Sequence, residues 1–125
     1  MSKNSCIRVF ADVNQINNCK KIISKNENKF KTLSNALGLA GNEVRLKIIF
    51  LLQQENKMCP CDISDVLEMT VPAISQHLKK LREGGIIEDN KVAQTVFYSL
   101  SKNYENIISP LLNLMQLPIK EVKNV

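Results

Sequence analysis

Cys59 and Cys61 flank a single proline, Pro60, and are followed at once by Asp62. Two thiolates this close can grip one soft metal ion, or be oxidised. Inside an α-helix, residues two apart point about 200° away from each other, so the pair can converge only at a helix start, where the flanking residue is non-helical. Pro60 marks such a start, because the first helical position has no use for the missing amide proton. The amides of a helix start also stabilise a nearby anion. Cys6 and Cys19 lie upstream and complete a set of four cysteines, all of which can meet on one ion. A sulfur-only cage admits Cd(II), Pb(II), Hg(II), As(III), Cu(I) or Zn(II). The bland alternative makes Cys59 and Cys61 small packed residues beside Pro60, with Asp62 as a first-turn dipole partner.

A chain of 125 residues with 44% hydrophobic content and no Trp fits one modest core built from Leu, Ile and Val. The formal charge of +5 favours polyanionic partners, since neutralising phosphates releases condensed counterions. No apolar run approaches the roughly 20 residues that span a bilayer, and the polar start Met1-Ser2-Lys3-Asn4-Ser5 lacks a signal-peptide core. A cytoplasmic protein is expected. In that reducing compartment four cysteines point to metal ligands or reactive thiols before disulfides. Disulfide-exchange enzymology is disfavoured, because no βαβ pattern and no Cys-x-x-Cys spacing surround the pair.

The elements that must position these residues follow from periodicity and punctuation. Residues 1–30 form a polar arm rich in Asn and Lys, in which Val9, Val13 and Ile16 fall at helical spacing; either a short helix or a tail ordered by ligand capture fits. Residues 31–125 are expected to fold as one domain, whose elements, read in turn, point to DNA binding and dimerisation. In it, Leu33, Leu37 and Ala40 make the stripe of a short helix stopping near Gly41. Asn42 caps an apolar core helix through Leu52, with Arg45 and Lys47 on its wetter side, and residues 53–58 read as a polar connection. Ile63, Val66 and Leu67 predict a two-turn helix from Pro60 to near Glu68. Thr70 caps the next helix, whose Val71, Ile74, Leu78 and Leu81 recur at core spacing until Gly84-Gly85 ends it.

Ile86-Ile87-Glu88 and the run Gln94 to Leu100 read as two strands around a polar turn over residues 89–93. Helix, turn, helix and hairpin in this order predict a mainly α, winged helix-turn-helix fold. After Ser101, a capping candidate, Ile107, Ile108, Leu111, Leu112, Leu114 and Met115 supply more apolar surface than a small domain covers, and Pro110 is expected to kink or restart that helix. Association of two copies through terminal helices is the natural outlet.

On the second helix of the pair, Ser75 and Gln76 suit base edges in the major groove, Gln being matched to adenine. Thr70, Lys79 and Lys80 suit phosphates. His77 reads as a DNA contact or a hydrogen-bonding partner within the helix pair rather than a metal ligand. Lys91 and Gln94 in the wing turn can reach an adjacent groove or backbone.

Residues 37–100 resemble the ArsR/SmtB family of metal-responsive bacterial repressors. The resemblance is carried by Ala40-Gly41-Asn42-Glu43-Val44-Arg45-Leu46-Lys47-Ile48, by Cys59-Pro60-Cys61-Asp62-Ile63, by the unbroken string from Val71 to Ile87, and by Phe97-Tyr98-Ser99-Leu100. It implies a homodimer that holds a near-palindromic operator without metal and leaves it when metal binds. The Cys-Pro-Cys string with cysteines in an N-terminal extension is similar to the cadmium- and lead-sensing CadC-type branch. There an arm of one subunit and the motif of the other share a thiolate site. In that branch the arm cysteines stand a few residues apart; here Cys6 and Cys19 are thirteen positions apart. Many relatives carry a carboxylate and histidine site on the last helix, but this region offers only Glu105 and Glu121, and the single His is His77. That second site is expected to be absent. The competing readings are a thiol redox sensor of the same fold, and a metal-buffering or interaction module that kept the fold without DNA binding.

Overall fold

The computed structural model describes residues 6–117. Among the described residues, six helices and a hairpin follow one another: α1 (Val13–Lys25), α2 (Glu27–Ala40), α3 (Glu43–Glu55), α4 (Pro60–Leu67), α5 (Val71–Glu83), β1 (Ile87–Val92), β2 (Thr95–Leu100) and α6 (Lys102–Asn113). The chain divides into two compact units, residues 1–32 and 33–125. Among the described residues, no helix is long and apolar enough to cross a membrane.

In the first unit, Asp12 starts α1 by accepting a hydrogen bond from the Gln15 amide at 3.0 Å. Asn26 ends it, with its backbone N–H on Ile23 O and its side-chain amide on Ile22 O. The helical spacing of Val13 and Ile16 is therefore part of a 13-residue helix. None of its residues is buried.

In the second unit, Asn42 caps α3 by accepting from the Arg45 amide at 3.1 Å. Ile48, Ile49 and Leu52 of α3 form the centre of the core with Ala36 and Ala40, Ile63, Ile74, Leu78, Leu81, Ile86, Ile87, Ile108 and Leu112. α3 continues to Glu55, so the first half of the expected polar connection is helical: half-buried Gln53, Gln54 and Glu55 complete its last turn, and Gln53 Nε2 donates to Ser109 Oγ of α6 at 2.7 Å. The α2 stripe is shifted from the expected one. Ala36 and Ala40 are buried, whereas Leu33 and Leu37 stay more than two-fifths exposed. Leu37 instead lines an apolar groove of about 210 Å³ with Gly41, Leu46, Leu111 and Met115.

Between α4 and α5, Ser64 closes the turn. Its carbonyl accepts from the amides of Glu68 and Met69, and its hydroxyl donates to Met69 O. Glu68 takes the left-handed conformation at φ 55°, the backbone state that lets a helix end in so few residues. Gly84 and Gly85 end α5 for separate reasons. A Cβ on Gly84 would lie 2.1 Å from Leu39 Cδ1, and Gly85 has φ +79°.

The hairpin is longer than its composition suggests. Ile87 pairs with Leu100 and the antiparallel register runs to Val92 opposite Thr95, so Ala93 and Gln94 alone form the turn. Asp89, Asn90 and Lys91, expected in a turn, are strand residues. Polar residues are no obstacle in a ribbon whose tip has nothing to bury, and all three are exposed. Lys91 therefore sits opposite Val96. The last helix also departs from expectation: α6 runs through Pro110 to Asn113 without a restart. Ile108 and Leu112 enter the core, while Leu111, Leu114 and Met115 remain exposed. Ser101 begins α6 without a side-chain cap, its hydroxyl donating instead to Gly85 O at 2.7 Å.

Candidate metal centre and nucleic-acid interface

Cys59 is the N-cap of α4, in extended backbone with φ −89° and ψ 159°, and its side chain makes no capping bond. Pro60 and Cys61 are the first helical residues. The break in direction at Cys59 is the condition under which sulfurs two positions apart can turn to one side. Cys59 is half-buried and Cys61 exposed, and both are unbridged thiols. Asp62 shares the first turn. Two thiolates supply half of a four-coordinate sulfur site. Among the described residues, no group of three or more His, Cys, Asp or Glu is assembled that could hold an ion. Cys6 and Cys19 are exposed thiols of the first unit, Cys19 lining a groove on α1 with Ile16 and Ile23. Glu105 is in the first turn of α6, and Glu121 lies outside the described residues.

The residue just before Cys59 has a partner that local sequence patterns do not announce. Met58 forms an isolated antiparallel bridge with Tyr98 of β2: its N–H donates to Tyr98 O at 3.0 Å, and its carbonyl accepts from Tyr98 N–H at 2.8 Å. Lys57 lies over the Phe97 ring at 5.1 Å from the centroid. The Cys-Pro-Cys segment is thus joined on one side to the wing and on the other to α4, which packs on α5.

On α5, Ile74, Leu78 and Leu81 are fully buried, and Ser75, Gln76, Lys79 and Lys80 are exposed. With about 100° between successive residues, Pro72, Gln76 and Glu83 point most directly away from the core, with Lys79 and Lys80 to either side. Thr70 Oγ1 accepts from the Ala73 amide at 3.3 Å, which leaves its hydroxyl proton to donate outward. Val66 and Val71, expected in the core, are 54% and 39% exposed. Both lie on the outer flank of their helices, where neighbouring Ile63 and Ile74 have already filled the interior. Gln94 is exposed at the tip of the wing, next to Ala93 with φ 56°.

His77 is half-buried beside α3. Burial lowers its pKa below the ordinary value, and the positive charges of Arg45 and Lys80 lower it further. The folded state thus favours neutral imidazole. Its contribution to stability is fully present above the unfolded histidine pKa and is lost as pH falls through the lower folded value. Urea midpoints at pH 7.5 and 5.5 should show wild type losing more stability on acidification than His77→Gln. Equal losses would refute the linkage.

Several positioning residues carry no local signal. Asn35 Nδ2 donates to Gly84 O at 2.9 Å and to Tyr104 Oη at 3.3 Å, fixing the end of α5 from 49 positions away. Arg45 is more than a solvating charge on α3. Its Nε donates to Leu39 O at 2.7 Å, satisfying a carbonyl in the last turn of α2. Arg82 approaches Asp89 of β1 at 3.6 Å, an exposed pair of small energetic weight.

A two-helix head with a buried inner stripe, a polar outer face and a two-stranded wing defines a winged helix-turn-helix regulator. The sequence profile described as "Bacterial regulatory protein, arsR family" matches residues 42–89. The cadmium resistance transcriptional regulatory protein CadC of Listeria innocua is 32% identical over 88 residues, covering 70% of this chain and 69% of that protein. The arsenical resistance operon repressor of Escherichia coli is 40% identical over 63 residues, 50% of this chain and 54% of that one. The solved structure of reduced HlyU from Vibrio cholerae is similar with a TM-score of 0.65 and 35% identity, over 72% of this chain and 95% of that one. This chain belongs to the ArsR family of bacterial regulatory proteins. Its relatives are DNA-binding transcriptional regulators rather than enzymes.

Proposed function

We propose that this regulator is a metal-sensing repressor, holding operator DNA as an apo homodimer and leaving it when Cys59, Cys61, Cys6 and Cys19 take up a thiophilic ion. The observation that carries the reading is the position of Cys59 and Cys61, an N-cap and a first-turn residue of the first helix of the helix-turn-helix. Similarity to a cadmium resistance regulator and to an arsenical resistance repressor supports it. Cd(II), Pb(II), Hg(II), As(III), Cu(I) and Zn(II) all suit the sulfur donors.

The chain's own geometry supports a route for the coupling. Moving Cys59 moves Met58, which drags on Tyr98 and the wing, while moving Cys61 tilts α4 against α5. If the metal-bound arrangement fits DNA less well, linkage makes metal and DNA weaken each other equally, typically by about 1–3 kcal/mol. A second copy covers the groove at Leu37, Leu111 and Met115 and so sets the spacing of the two α5 helices to successive major grooves, about 34 Å apart. Cytoplasmic residence keeps the thiols reduced.

Thr70, Ser75, Gln76, His77, Lys79, Lys80, Lys91 and Gln94 form the DNA face. Gln76→Ala is expected to narrow the affinity gap between operator and unrelated duplex. Lys79→Ala should weaken both equally and flatten the salt dependence by about 0.9 in log–log slope per lost phosphate contact. Fluorescence anisotropy across a salt series measures both, and two unchanged variants would refute the assignment.

Similarity to the reduced form of HlyU favours one second reading, a thiol redox sensor using the same cysteines. Titration of reduced, metal-free protein on operator DNA with the panel of ions separates the two. Stoichiometric uptake with release in a reducing buffer supports metal sensing. No uptake, or uptake without release, overturns it.

A further inference from the structure

Seven of the 17 Lys and Arg residues but only two of the 12 Asp and Glu residues fall within residues 1–32. That unit therefore carries a formal +5, the whole net charge of the chain, and residues 33–125, with ten of each sign, are formally neutral. A neutral reading head exerts little long-range pull on a polyanion. The pull resides in the arm.

α1 contains Lys20, Lys21 and Lys25 and no Asp or Glu. At about 100° per residue, Asn14, Asn17, Asn18, Lys21 and Lys25 fall on the side opposite Ile16, Cys19 and Ile23. All five are exposed. Amide and ammonium groups both donate to phosphate oxygens, and no carboxylate on this side opposes them. Lys29 and Lys31, also exposed, continue the charge into α2, where Glu27 is the one acid of the unit's share. Among the described residues, the two ion pairs are Glu43 with Lys47 and Arg82 with Asp89, both outside this unit.

We infer that the Asn and Lys face of α1 is a phosphate-contact surface, supplying the sequence-independent part of affinity by engaging the backbone of duplex DNA. The inference rests on the DNA-binding reading of the chain. A cationic helix with an apolar side also suits an anionic membrane surface. DNA is favoured because α1 has no Trp, Phe or Leu to anchor in lipid, and because three of the five residues on its polar face are asparagines.

The test uses full-length, reduced, metal-free protein and the double variant Lys21→Gln, Lys25→Gln, which keeps good helix formers in α1; Lys20→Gln, on the groove side with Ile16 and Cys19, is the comparison. Affinity is measured for operator and for unrelated duplex across a salt series, with helix content followed by circular dichroism. Both affinities are expected to fall by the same factor, and the log–log salt slope to flatten by up to about 1.8 per protomer, at about 0.9 per contact. Arg in place of Gln at the two positions should restore the slope. An unchanged slope in a folded variant overturns the inference, as does a loss confined to the operator. So does loss of binding to phosphatidylglycerol vesicles with the DNA slope intact. Failure of wild type to bind any duplex would instead overturn the DNA-binding reading itself.

Discussion

Cys59→Ser and Cys61→Ser are each expected to keep the apo-protein on operator DNA while abolishing its release by thiophilic ions. Wild-type coupling of about 1–3 kcal/mol corresponds to roughly a 5- to 150-fold loss of DNA affinity on metal binding; in either variant the ratio should approach one. Serine conserves size, but its hydroxyl is a poor ligand for a soft cation. Collapse of the fold is not a competing explanation. Cys61 is exposed, and Cys59 is an N-cap whose side chain makes no capping bond, a position where serine is among the preferred residues and stabilises a helix by about 0.5–2 kcal/mol over a residue that cannot cap. Cys59→Ser should therefore melt no lower than wild type while losing its response. Anisotropy of labelled operator, with and without each ion in reducing buffer, gives the coupling, and a thermal melt gives the stability. Variants that still leave DNA on metal addition to the wild-type extent would remove the Cys-Pro-Cys motif from the sensing mechanism.

The parts of the fold that sequence reveals are those fixed by chemistry within a few residues. Asn42 and Thr70 cap their helices through bonds to amides three positions on, Pro60 opens α4, and Gly84-Gly85 closes α5. These signals bracket the helix-turn-helix and with it the location of Cys59 and Cys61. Relations across the chain leave no such mark. Asn35 reaches Gly84, and Met58 pairs with Tyr98, through ordinary residues whose neighbours predict nothing of the contact. The polar residues at the tip of β1 were misleading for the opposite reason. Composition there reports exposure, and a two-stranded wing can be exposed without ceasing to be a strand.

The candidate site divides along the same line. The outward face of α5 is legible because the inward face is: once Ile74, Leu78 and Leu81 are buried, helical geometry leaves Gln76 and Lys79 outside. The wing contacts are less direct, since the true turn moves Lys91 into a strand and leaves Gln94 at the tip. His77 shows what a lone histidine conceals. Burial and the positive charges of Arg45 and Lys80 disfavour the charged form, and the share that Arg45 contributes from α3 is invisible in the residues around His77.

Val71 and Ile74 share one apolar periodicity, yet their truncation is expected to separate sharply. Ile74 is fully buried and Val71 is 39% exposed. Ile74→Ala removes three buried carbons and leaves a cavity that the surrounding Ile63, Leu78 and Leu81 cannot fully close, a change that costs about 2–5 kcal/mol in comparable cores. Against a total stability of roughly 5–15 kcal/mol that is a large fraction, and the urea midpoint should fall by about 1–2.5 M for m near 2 kcal/mol/M. Val71→Ala removes two carbons from a side chain already 39% exposed and gains helix propensity at the first position of α5, so its cost should stay near or below about 1 kcal/mol. Both are to be compared with wild type at one protein concentration, because association contributes to the stability of a dimer. Equal losses at the two positions would mean that Val71 is covered after all. The outer edge of α5 would then belong to a packed interface and not to the surface offered to DNA.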